Sequence, residues 1–94
     1  MIEYLYNAIR ASAGTPITIA ANVMDESGNA VKEGLKFVIH LEDDSMVMID
    51  GYFNQDMTLF EVPAAVTKDL KGKYWYCIKQ DNMQLCFKQP IYFV

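Results

Sequence analysis

Ninety-four residues with 52% apolar and 21% charged side chains have the makings of one folded domain and exclude a disordered chain. The net charge of −4 disfavours nucleic acid as a general partner. No apolar run approaches the roughly 20 residues that a membrane-spanning helix needs.

The opening segment, Met1-Ile2-Glu3-Tyr4-Leu5-Tyr6, lacks the basic stretch and apolar run of a secretory signal. With Met1 as the natural start, the chain is expected to be made in the cytoplasm. Ala13-Gly14-Thr15-Pro16 then turns the chain into Ile17–Met24, where Ile17, Ile19, Ala21 and Val23 share one face. Asp25-Glu26-Ser27-Gly28-Asn29 is a turn by composition. Leu35, Phe37, Ile39 and Leu41 alternate with Lys36, Val38, His40 and Glu42, the pattern of a half-buried strand. Glu42–Ser45 and Asn54–Asp56 are turns around a strand over 46–53, and a further strand covers 57–62. Residues 63–71 read as a loop with at most one turn of helix.

The last third predicts a β-hairpin. Residues 73–80 and 83–88 flank Asp81-Asn82, two residues that tolerate the positive φ of a tight loop. Pairing Gln80 with Met83 sets Ile78 opposite Leu85, Cys77 opposite Cys86 and Tyr76 opposite Phe87. Tyr76, Ile78, Leu85 and Phe87 then form the inner face. Trp75, the cysteines, Lys79, Gln84 and Lys88 form the outer one, with Lys88 opposite Trp75 and placed to lie over its indole. About seven short strands, with no strand–helix alternation, predict an all-β antiparallel sandwich spanning residues 1–94, with a small open barrel as the alternative.

The candidates for chemistry are few. His40 is the only histidine and has no second ligand at metal spacing, so a plain surface histidine is expected. Asp43-Asp44 reads as turn residues and not as a calcium site. No phosphate loop, nucleophile motif or paired carboxylates are present, so no catalytic, cofactor-binding or metal residue is expected. Cys77 and Cys86 fall at a non-hydrogen-bonded pair, where Cα atoms approach to roughly 4.5 Å, near the lower limit for a disulfide. A cytoplasmic origin favours thiols. Both the bridged and the reduced state stay open.

Interface candidates come from charge and aromatics. Residues 1–67 carry ten acidic and three basic side chains, and residues 68–94 two acidic and five basic. This is either unevenly spread solvating charge or two complementary surfaces. An outward Trp75 is either an interface anchor or covered by the N-terminal segment with its Tyr4 and Tyr6. The residues expected at a contact surface are Tyr4, Tyr6 and Trp75, ringed by Lys73, Lys79 and Lys88.

Two stretches carry a family resemblance. Ile17-Thr18-Ile19, then Val23-Met24-Asp25-Glu26-Ser27-Gly28-Asn29-Ala30-Val31, then Leu35-Lys36-Phe37 resembles the first half of certain immunoglobulin-like domains. These are the N-terminal domain of phage baseplate upper proteins and, more loosely, the tandem domains of bacterial surface adhesins. Leu70-Lys71-Gly72-Lys73-Tyr74-Trp75-Tyr76 resembles the Gly-x-Tyr start of their late strand and the tyrosine corner of immunoglobulin domains. In the latter a cysteine follows the tyrosine by two residues. Here that position is Tyr76, so their inter-sheet disulfide is not implied. The resemblance covers roughly residues 13–94. It implies an immunoglobulin-like sandwich serving as a virion structural module, which docks on tail or baseplate proteins or on further copies of itself, without cofactor or active site. Adhesins need a secretory signal and domains in series, which favours the phage relationship. A carbohydrate- or cell-surface-binding module is the alternative, since exposed aromatics on a sheet can stack on sugar rings.

Overall fold

A computed structural model of the chain describes residues 8–81, 83–84 and 88–94, together with the backbone of residues 2–5. Short alternating runs between turn residues give nine strands: β1 (Ile2–Leu5), β2 (Ala8–Ala11), β3 (Ile17–Ala21), β4 (Leu35–His40), β5 (Met46–Asn54), β6 (Met57–Val62), β7 (Gly72–Gln80), β8 (Met83–Gln84) and β9 (Gln89–Phe93). One helical turn, α1 (Ala64–Thr67), lies between β6 and β7. It follows Pro63, whose lack of an N–H costs nothing at a helix start. Thr67 is buried there, and its Oγ1 accepts a hydrogen bond from Gly14 N at 3.1 Å, tying the helical turn to the turn before β3.

The strands form one continuous, nearly barrel-shaped sheet in the order β1-β2-β9-β7-β4-β5-β6-β3, with β8 attached to β7. The long strand β5 makes the continuity possible. Its first half, Met46–Asp50, pairs with β4, and its second half, Gly51–Asn54, pairs with β6. The sheet curves around a single cluster drawn from five strands: Ile9, Ala11, Ile17, Ile19, Leu35, Phe37, Ile39, Phe60, Val62, Ile91 and Phe93. Phe37 sits at its centre, tilted against Phe60 with ring centroids 5.8 Å apart and stacked on Tyr76 at 5.1 Å. The alternating residues expected to face inward do so: Ile17, Ile19, Leu35, Phe37 and Ile39 are buried. Ala21, Val23, Leu41, Tyr76 and Ile78 pack against them. Leu85 and Phe87 lie outside the described residues.

The all-β class holds, but three expectations need correction. Nine strands fall among the described residues where about seven were expected, because the N-terminal segment divides into β1 and β2 and the chain after the hairpin tip into β8 and β9. The sheet is not wholly antiparallel: β2 runs parallel to β9, pairing Ile9 with Ile91 and Ala11 with Phe93. The C-terminal hairpin keeps its expected register only at its tip, where Gln80 pairs with Met83 and Lys79 with Gln84. Further along, Tyr76 pairs with Gln89 and Trp75 with Pro90, not with Phe87 and Lys88. Between these pairs β7 has two residues, 77 and 78, and the returning chain four, 85–88. The two extra residues move the register by two, which preserves the facing of every later side chain.

Candidate functional site: the outer face of the sheet

Cα partners in a sheet project to the same side, so the registers define the outer face directly. Met46, His40, Trp75 and Pro90 form one row across β5, β4, β7 and β9. The next row holds Met48, Val38 and Cys77, and the one beyond it Asp50, Lys36, Lys79 and Gln84. On the other side of the first row stand Lys73, Tyr92 and Arg10. The face is therefore an apolar band between two charged rows.

Its exposure is uneven. Met46, Met48, Trp75 and Tyr92 are 44%, 50%, 43% and 37% exposed, while Val38 and Cys77 are fully buried. The expectation that both lie on a solvated outer strand face is thus overturned for these two residues. Period-2 alternation reports which side a residue faces, not whether that side is covered. His40 Nε2 lies 3.4 Å from Cys77 Sγ, within hydrogen-bonding distance for sulfur. Burial, followed by the positive charges of Lys88 and Lys79, holds the imidazole pKa below its ordinary value and favours the neutral ring. Lys36 Nζ pairs with Asp50 Oδ1 at 2.7 Å, which neutralises one charged row at its β5 end and leaves Lys79.

Four of the six expected contact residues gather here. Trp75 is outward, and Lys73 Nζ lies 4.4 Å from its ring centroid, taking the place over the indole expected for Lys88. Lys79 stands four residues beyond Trp75 on the same face, and Lys88 is close enough to act on His40. Tyr4 does not join them in the backbone register: it pairs with Ile9 on β1–β2, and β1 is three strands removed from β7. Tyr6 lies outside the described residues. So does Cys86, and with it the expected Cys77–Cys86 pair. Sequence reasoning missed Met46, Met48 and Tyr92. The first two follow from the alternation Met46, Met48, Asp50 once β4 is known to pair with β5. Tyr92 depends on the long-range pairing of β9.

The acidic turns are structural. Asp43 Oδ1 accepts hydrogen bonds from Ser45 N and Ser45 Oγ, chiefly the latter, which lowers its pKa. Asp44 takes a left-handed φ of 65°. No known protein-family model and no curated protein matches this chain.

Proposed function

We propose that the chain is a non-enzymatic assembly module, an immunoglobulin-like domain that docks through the outer face of β5-β4-β7-β9 onto a tail or baseplate protein of a phage particle. The observation that carries the docking reading is the band of exposed Met46, Met48 and Trp75, flanked by exposed Tyr92, on a regular sheet face. Clustered large apolar side chains, with Trp at the centre and charge at the rim, are what protein interfaces use. Lys73, Lys79 and Lys88 give that rim a positive bias, so the partner surface is apolar and acidic. The immunoglobulin-like reading is supported by strand order. β9-β7-β4 run as G-F-C do, and β5-β6-β3 as D-E-B do, with β5 bridging the two groups. The phage assignment rests on the sequence resemblance.

Purified particles from the producing host provide the test. The chain is expected in them by mass spectrometry, and Trp75→Ala is expected to lower its incorporation at least tenfold while leaving the circular dichroism spectrum unchanged. Lys79→Ala is expected to have a smaller, salt-dependent effect. Absence of the wild-type chain from particles would overturn the virion assignment. Normal incorporation of Trp75→Ala would overturn the docking face.

A further inference from the structure

A second surface lies away from the docking face, where the loop between β3 and β4 meets the β5–β6 turn. Asn22, Asn29, Lys32, Phe53, Gln55 and Asp56 line a cleft of about 710 Å³ there. That volume falls within the range of small-molecule sites. One wall is fixed locally. Asp25 Oδ1 accepts hydrogen bonds from Ser27 N and Asn29 N, each at 2.9 Å, and Met24 bridges to Ala30. The other wall is the two-residue turn closed by the Asn54–Met57 pair. Phe53, half-buried, forms part of the lining, and Lys32 Nζ rests 5.2 Å from its ring centroid.

We propose that this cleft binds a neutral oligosaccharide. Three side-chain amides, those of Asn22, Asn29 and Gln55, each offer donor and acceptor atoms, as sugar hydroxyls do. Asp56 adds an acceptor that two neighbouring hydroxyls can share. Phe53 supplies a flat apolar surface for the C–H face of a pyranose ring, which would take the place over the ring now held by the exposed, flexible Lys32. Other ligand classes fit less well. A phosphate or other anion would meet one ammonium, Lys32, against Asp56 and the nearby acidic Asp25, Glu26 and Glu33. An apolar ligand needs a mainly hydrophobic lining, which this cleft lacks.

Backbone conformation adds an independent reason. Gln55 has φ of 60° at the first position of its turn, a place where glycine is strongly favoured. A long amide side chain in a left-handed conformation is explained if its head group works in the cleft.

The test is a titration of the isotope-labelled full chain, followed by amide NMR, with cellohexaose, maltohexaose, chitohexaose and mannohexaose. At least one is expected to give saturable shifts confined to residues 22–32 and 53–57, at micromolar to millimolar concentrations. Phe53→Ala is expected to abolish them. Because that change opens a packed position, Gln55→Gly is the decisive variant. Glycine suits the turn, so the melting temperature is expected to hold or rise while affinity falls at least fivefold. No saturable shift with any of the four sugars would overturn the proposal, as would unchanged affinity in Gln55→Gly. Equal or larger shifts at the same residues with inorganic phosphate would overturn the neutral-ligand assignment. None of these residues belongs to the docking face, so the two readings fail separately.

Discussion

Gly51 stands where β5 stops pairing with β4 and begins pairing with β6. Its importance is space rather than backbone freedom. A Cβ at this position would lie 2.5 Å from Thr58 Cγ2 and 2.6 Å from Phe60 Cε1. Phe60 is fully buried and cannot move aside cheaply. Gly51→Ala is therefore expected to cost about 1–3 kcal/mol, seen as a lower urea midpoint at an unchanged slope. His40 is a second residue with a measurable consequence. Its pKa in the folded chain lies below the ordinary 6.5, first through burial and then through Lys88 and Lys79. As pH falls through about 6.5 the unfolded chain takes up the proton first, so unfolding is favoured increasingly until the folded imidazole also protonates. Above that window the contribution is flat. Thermal melts between about pH 7.5 and pH 5 are expected to show this loss in the wild type and a shallower one in His40→Gln.

Among the elements, β4 and β7 are the protected centre. Each has a paired strand on both sides, and between them they hold Phe37, Ile39, Val38 and Cys77, all essentially inaccessible. Hydrogen exchange is expected to be slowest at Phe37–Ile39 and Tyr76–Ile78, approaching the global opening rate, and fast at Met83 and Gln84, whose strand is short and exposed. Exchange at Phe37–Ile39 as fast as at Met83 would contradict this ordering. The strands over 35–40 and 57–62, the single turn of helix after Pro63 and the Asp25–Asn29 turn were all legible, because each is written in adjacent residues. The pairing of β2 with β9 was not. It joins segments some eighty residues apart, and nothing in Ala8–Ala11 names its partner. The tip of the last hairpin was legible from Asp81, whose φ is 53°, but the two extra residues behind it leave no local mark. On the outer face of the sheet, alternation alone placed Trp75 and Lys79 outward. The burial of Val38 and Cys77 on that same side depends on tertiary neighbours and could not be read from it.

At the scale of the whole molecule the two ends of the fold meet. Val94 N donates to Ala11 O and Ala13 N donates to Val94 O, both at 3.0 Å, extending the parallel β2–β9 ladder. Under mechanical load this ladder sets how tension would run. Pulling β2 from its N-terminal side and β9 from its C-terminal side drags two parallel strands past one another along their axes. Their hydrogen bonds are then strained together in shear. The hairpin of β1 on β2, being antiparallel, opens one pair at a time under the same pull. Force spectroscopy with attachment points before β1 and after β9 is expected to record a weak first release, as β1 peels away, and then a distinctly stronger rupture as the parallel ladder fails. A single weak event would mean that the load bypasses that ladder.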